Sequence, residues 1–206
     1  MTATSEQTDS AASPRVPVAA TVLSEALAPW VLVLALSGAV AWRATEAVLP
    51  TIGWGLLIAL TSSILPMGVI VWGARTGRWD SHHVRNREGR LVPFLTLIVL
   101  SGVGLALLLV FGAPRMLVAL DVAMLACLLV TGAITVRWKV SMHAAVAAGA
   151  VVILAVAYGP AAWAGAVAVA AVGWSRVRLG DHTLAQVLAG TVAGAVIGGG
   201  AFALLV

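Results

Sequence analysis

The chain has 206 residues, of which 61% are hydrophobic and only 10% are charged. A soluble globular domain needs much more charge to cover its surface, so this composition excludes that class. The net charge of +4 could suggest a nucleic-acid partner. The arginines stand between apolar runs, however, where they are typical of membrane topology and phosphate binding. We therefore expect an integral membrane protein that contacts membrane lipid and has no nucleic-acid partner.

The first 20 residues differ in composition from the rest of the chain. They are rich in Ser, Thr, Ala and Pro and lack the basic start and apolar core of a secretory signal. We predict a flexible tail over residues 1–20 and a single transmembrane domain over residues 21–206.

Apolar runs follow one another along the rest of the chain, most of them close to the ~20 residues that cross a hydrocarbon core. They predict an all-α, polytopic transmembrane bundle with six to seven spans. The Gly159-Pro160 pair separates two short runs and favours a tight hairpin over one long helix. The seven runs are Val22–Trp42, Leu49–Trp72, Pro93–Gly112, Met116–Val136, His143–Tyr158, Ala161–Trp174 and Thr183–Val206.

The basic residues are distributed unequally between the loops. If every run crosses the membrane, the loops after the second, fourth and sixth runs share one side. The opposite loops carry only Arg43 and Arg115. The positive-inside rule then predicts a cytoplasmic location for the basic loops, in a protein of the cell membrane. The basic residues on that side are Arg75, Arg78, Arg85, Arg87, Arg90, Arg137, Lys139, Arg176 and Arg178.

Two of the basic loops contain a histidine at the start of a predicted helix. His182 precedes the last run, and His143 begins the fifth run, close to Lys139 and Ser141. A helix start favours a bound anion because it presents unsatisfied N–H groups and the positive end of the helix dipole. Two imidazoles, nearby cations and a hydroxyl on one membrane face suit phosphoryl transfer.

These loops resemble two signatures of the type 2 phosphatidic acid phosphatase family. The segment that begins at Ser175 reads S-R-x5-H-x3-Q, which is similar to the family's S-R-x5-H-x3-D. The segment that ends at His143 reads S-M-H and keeps the Ser and His of the family's P-S-G-H. The order, spacing and common side of the two segments strengthen the resemblance, which covers most of the chain from about Arg85 onward.

The resemblance implies a role for each matched residue. His182 would be the nucleophile that forms a phosphohistidine. His143 would protonate the leaving group and then activate water. Arg176 and Ser141 would hold phosphate oxygens, and the chemistry would need no metal or other cofactor.

The chain also departs from the family pattern. Gln186 stands where the family has Asp, so its carbonyl can orient the imidazole but supplies no negative charge; Asp181 or Asp80 could supply that charge from elsewhere. The family's K-x6-R-P signature is poorly matched by the loop 83–91, in which Arg90 takes the Arg position. We predict phosphate contacts from Arg90, Arg87 and Lys139 in addition to Arg176 and Ser141.

The sequence analysis leads to one main function and two alternatives. The main hypothesis is a membrane phosphatase that hydrolyses a lipid or isoprenoid phosphate. The alternatives are a phosphotransferase that uses the same intermediate, and a non-catalytic protein that binds lipid phosphates.

Other polar and small residues favour structural interpretations. We expect Asp121 to pair with Arg115 or to reach the membrane surface, and Glu46 to do the same with Arg43. Asp80, His82 and His83 are interpreted as a solvated loop because they lack metal-site spacing. The glycines of the last run form a groove for helix packing, through which an oligomer contact is also possible; they are Gly190, Gly194 and Gly198.

Overall fold

The computed structural model describes residues 17–78 and 91–206. Within these ranges every regular element is helical, as the sequence predicts. Two π-helical segments (Leu60–Ile64 and Gly194–Gly199) and one 3-10 helix (Pro160–Gly165) adjoin the α-helices. The α-helices are α1 Val18–Ala26, α2 Pro29–Thr45, α3 Val48–Ala59, α4 Leu65–Arg75, α5 Leu91–Val110, α6 Arg115–Arg137, α7 Met142–Tyr158, α8 Ala166–Arg178, α9 Leu184–Ala193 and α10 Gly200–Leu205.

Five helical stretches are long and apolar enough to cross a membrane. The fifth and sixth predicted runs are shorter: α7 has 17 residues and α8 has 13. Gly159 ends α7 with a φ of 96°, so the predicted turn between these two runs is present. Over the described residues the chain is thus an all-α membrane protein with five candidate spans, and the predicted six to seven are not confirmed. The five are Val18–Thr45, Val48–Arg75, Val92–Val110, Arg115–Arg137 and Leu184–Leu205.

The first candidate span is divided into α1 and α2. Pro29 begins α2, and a proline there cannot continue a preceding helix because it has no backbone N–H to donate. α1 packs against α8. The division therefore places the end of α1, with Ser24 and Glu25, beside the carboxyl-terminal half of the chain.

Helix α7 is the centre of the bundle. It contacts α2, α8, α9 and both the 3-10 segment and the π-helical segment that precedes α10. Its buried residues are mostly Ala and Gly, and such small side chains allow neighbouring backbones to approach closely. The loop that enters α7 is consequently held against several helices at once.

The glycines of the last run pack against this central helix, as the sequence predicts. A methyl group at Gly190 would overlap the carbonyl oxygen of Ser141, and one at Gly194 would overlap that of Ala145. Gly198 packs between α6 and α7. This glycine face is therefore buried inside the chain. The possible oligomer contact through it is not supported, because the face is already covered by α6 and α7.

The predicted pairing of Asp121 with Arg115 is wrong. Asp121 is fully buried and accepts a hydrogen bond from the Ser62 hydroxyl at 3.2 Å. Ser101 in turn donates to Ser62 at 3.2 Å, while Arg115 donates to the carbonyl of Leu205 at 2.8 Å. Asp121 thus belongs to a polar contact that joins three helical stretches within the bundle.

The predicted contact between Glu46 and Arg43 is present. The guanidinium and carboxylate lie 3.4 Å apart, and both side chains are largely exposed. Arg43 also donates to the carbonyl of Ala157 at 3.0 Å, which ties α2 to the end of α7. An exposed pair of this kind contributes little to stability, about 0–1 kcal/mol.

Replacing Gly194 with Ala should destabilise the protein, because the added methyl meets a backbone oxygen that cannot move independently of α7. Overpacking of this kind costs about 1–3 kcal/mol. Gly200→Ala is the matched control, since a Cβ there has nothing within 4 Å and alanine favours the helix. Thermal unfolding in detergent should show a lower midpoint for Gly194→Ala and an unchanged or higher one for Gly200→Ala. Equal midpoints would contradict the close packing of the π-helical segment Gly194–Gly199 on α7.

Candidate active site

A cavity of about 300 Å³ extends from the loops around His182 into the bundle. Most of its wall is apolar and reaches Leu97 on α5, Met124 on α6 and Ile153 on α7. The ionisable residues on its wall come from α1, from the α6–α7 loop with the first turn of α7, and from α8 with the turn that follows it. They are Glu25, Lys139, His143, Arg176, Asp181 and His182.

The turn between α8 and α9 fixes the position of His182. The carbonyl of Arg176 accepts the backbone N–H of Asp181 at 3.2 Å and that of His182 at 3.3 Å. Gly180 adopts a φ of +68°, a left-handed conformation that glycine enters at no steric cost. The chain therefore folds back over the end of α8, bringing Asp181 and His182 close to Arg176.

Arg176 is held by polar contacts on two sides. Its Nη2 lies 3.0 Å from Oδ2 of Asp181, in an ion pair whose side chains are only 4% and 7% exposed. Its Nη1 donates to the Ser24 hydroxyl at 2.6 Å. The ammonium of Lys139 donates to the backbone carbonyl of Asp181. Two cations therefore converge on one residue, Asp181, adjacent to His182.

The hydrogen bonds of Gln186 determine which nitrogen of His182 carries the proton. Oε1 of Gln186 accepts the backbone N–H of Thr183 at 3.2 Å and lies 3.2 Å from Nδ1 of His182. An amide oxygen cannot donate, so Nδ1 must be the protonated nitrogen of the neutral ring. Nε2 then has a lone pair and can act as a nucleophile. The predicted contact between the Gln186 carbonyl and the imidazole is present.

The surroundings of His182 keep the ring neutral. Burial, followed by the positive charges of Lys139 and Arg176, lowers the pKa of His182 from 6.5 to about 4. The hydrogen bond with Gln186 and the charge of Asp181 act in the opposite direction but do not prevail. At neutral pH the imidazole is therefore unprotonated, which is the state that a nucleophile requires.

The segment that carries His143 is joined to α9 through the backbone. Ser141 donates its N–H to the carbonyl of Gln186 at 3.2 Å, at the point where Gly190 allows the two backbone segments to approach. The Ser141 side chain is fully buried, and its hydroxyl accepts the N–H of Ala144 at the start of α7. Ser141 therefore caps α7, a contact that the sequence did not predict, and its contact with phosphate stays a prediction.

The structure brings together most of the predicted site residues that it describes. His182, His143, Arg176 and Lys139 share the cavity wall. Gln186 is hydrogen-bonded to His182, and Ser141 is the N-cap residue of α7. The predicted phosphate contacts Arg87 and Arg90 lie outside the described ranges, as does the loop with Asp80, His82 and His83 that was interpreted as solvated.

Sequence reasoning did not identify the contribution of α1. Ser24 contacts Arg176, and Glu25 lies on the cavity wall. Glu25 could have been found, because an ionisable residue within an apolar run marks a functional site by default. Ser24 carries no comparable signal in the sequence.

The chain matches no protein-family model, no curated protein and no solved structure. The assignment of a function therefore depends on the geometry and chemistry of the residues described above.

The protonation state of His182 can be measured directly. Nitrogen NMR of histidine-labelled protein should show the Nδ1–H tautomer at neutral pH and a protonation midpoint near 4. Gln186→Glu should raise this pKa because it places a negative charge beside Nδ1, whereas Gln186→Leu should lose the tautomer preference. A wild-type midpoint near 6.5, or an Nε2–H tautomer, would contradict the described environment.

Proposed function

We propose that this protein is an integral membrane phosphatase that hydrolyses a lipid or isoprenoid phosphate through a phosphohistidine intermediate. The observation that carries the proposal is the cavity itself. It combines His182, whose Nε2 has a lone pair, with His143 and the cations Arg176 and Lys139. On this proposal the protein is a divergent member of the type 2 phosphatidic acid phosphatase family.

In the first step, Nε2 of His182 attacks phosphorus. A P–N bond forms, the bond between phosphorus and the leaving oxygen breaks, and that oxygen takes a proton from His143. The Gln186 carbonyl accepts a hydrogen bond from Nδ1–H while the ring becomes positively charged. Arg176 and Lys139 stabilise negative charge on the phosphate oxygens.

In the second step, His143 takes a proton from water and the water oxygen attacks phosphorus. The P–N bond breaks, inorganic phosphate leaves, and the electron pair returns to Nε2 of His182. His143 has then regained the proton that it gave in the first step. His143 performs both proton transfers and His182 carries the phosphoryl group, so the proposed reaction requires no metal.

The cavity favours an amphiphilic substrate. Its ionisable residues suit a phosphate headgroup, and its apolar wall along α5, α6 and α7 suits a hydrocarbon chain. A substrate that stays in the bilayer could thus present its phosphate to His182 without leaving the lipid phase. The apolar wall therefore favours phosphatidate-like and prenyl phosphates as substrates over soluble phosphate esters.

We also propose that all seven predicted runs cross the cell membrane, with the histidine loops in the cytoplasm. The excess of arginines in those loops supports this orientation. In a Cys127→Ser background, Thr76→Cys should be protected from a membrane-impermeant maleimide added outside intact cells. Labelling from outside would show that the protein has the opposite orientation.

Phosphate release from a panel of lipid and prenyl phosphates, without added metal, tests the activity. His182→Ala should lower turnover by at least about 1,000-fold, and His143→Ala by about 100-fold or more. Arg176→Ala should also be impaired, whereas the matched variant Arg178→Ala should not, since Arg178 does not line the cavity. Unfolding midpoints would verify that each variant is folded. Full turnover by His182→Ala would reject the mechanism.

The same assay separates the two alternatives. A phosphotransferase would transfer phosphate to an added alcohol in preference to water. A non-catalytic protein would bind a lipid phosphate and release none, an outcome that the missing carboxylate at Gln186 makes worth testing. Under the proposed mechanism, Gln186→Glu should increase turnover because it stabilises the positively charged ring.

A further inference from the structure

The guanidinium available to a substrate phosphate already holds an anion within the chain. Nη2 of Arg176 is 3.0 Å from the carboxylate of Asp181, and both side chains are almost completely buried. Nη1 of the same guanidinium is engaged with Ser24. A phosphate oxygen that approaches Arg176 from the cavity therefore meets a carboxylate at the position it would occupy.

We propose that Asp181 is an internal competitor that a substrate must displace from Arg176: it lowers the affinity of the site for every phosphate group, so that phosphomonoester dianions still fill the site and the weaker-binding phosphodiester headgroups do not. This inference rests on the proposed function. It assigns a role to Asp181 that neither the nucleophile nor the general acid performs.

The carboxylate is held in place by its own backbone. Lys139 donates to the carbonyl of Asp181, and the N–H of Asp181 donates to the carbonyl of Arg176 at 3.2 Å. These contacts fix the main chain on both sides of the residue. Asp181 can give up its contact with Arg176 only by rotating its side chain, so it remains near the site as a competitor.

The free-energy cost of breaking this ion pair is the same for every phosphate group, but the free energy gained when the phosphate binds in its place differs. A phosphodiester carries one negative charge and merely replaces the single charge of the carboxylate. A phosphomonoester carries about −1.5 to −2 at pH 7 and has three terminal oxygens to bond to cations. The dianion regains the cost through its second charge and through its additional terminal oxygen, which a phosphodiester lacks.

Such exclusion matters for a site whose proposed substrate comes from the membrane. Phosphodiester headgroups surround a membrane protein, and a preformed cation site at their level would be filled by them. A built-in repulsive element lowers the occupancy of such a site by weakly binding headgroups, while anions that bind more strongly still fill it. Asp181 would supply that element and would also favour the departure of product phosphate.

The test uses the full-length protein in detergent and measures binding of inorganic phosphate and of dimethyl phosphate by calorimetry. The wild type should bind inorganic phosphate and bind dimethyl phosphate at least about tenfold more weakly, if at all. Asp181→Asn should bind both anions about tenfold tighter or more, because the competing charge is gone. Asp181→Glu retains the charge and should resemble the wild type. Glu46→Gln, which removes a carboxylate in an exposed loop, is the control.

A second readout uses turnover in micelles that contain phosphatidylglycerol. The wild type should be insensitive to this phosphodiester, whereas Asp181→Asn should be inhibited by it. The inference is overturned if Asp181→Asn binds inorganic phosphate no tighter than the wild type. It is also overturned if the wild type binds both anions equally, a result that needs no variant to fold. If neither protein binds phosphate, the proposed function fails as well. If one of the two overturning results is obtained while the wild type still binds phosphate and hydrolyses a lipid phosphate, only this inference fails.

Discussion

The hydrogen bond between the Ser141 N–H and the Gln186 carbonyl is the contact on which the arrangement of the site depends. It joins the segment that carries His143 to the helix that follows His182, and no side chain takes part in it. The contact is possible because residue 190 is glycine: a methyl group there would overlap the Ser141 carbonyl. Backbone packing of α9 on α7 therefore sets the relative positions of the two imidazoles, and the side chains that perform the proposed chemistry are attached to a rigid frame.

The electrostatics of the site follow from burial within this frame. Taking His182 out of water, beside Lys139 and Arg176, disfavours its charged form, and the amide of Gln186 leaves the proton on Nδ1. The same burial makes a lone guanidinium costly, and the Asp181 carboxylate compensates for it. A neutral nucleophile and an internally paired arginine are thus two results of one constraint, and the proposed substrate must supply the charge that replaces Asp181.

The sequence predicted features that depend on neighbouring residues. Apolar length predicted the helices, Gly159-Pro160 predicted the turn, and the resemblance of the segment from Ser175 to Gln186 to a family signature predicted the contact between Gln186 and the His182 imidazole. It did not predict contacts between distant parts of the chain, such as Ser24 with Arg176, which are separated by 152 positions, or Ser62 with Asp121. The capping role of Ser141 was not predicted, because a motif does not show whether a hydroxyl also caps a buried helix.

The most direct test of the account is to trap the intermediate. The purified protein would be mixed with a radiolabelled lipid phosphate that it turns over, quenched within milliseconds in alkali, and digested for peptide mapping. The account predicts an alkali-stable, acid-labile phosphoryl group on His182 that is absent from His182→Ala. Turnover without labelled protein, or a label on another residue, would contradict the assignment of His182 as the nucleophile.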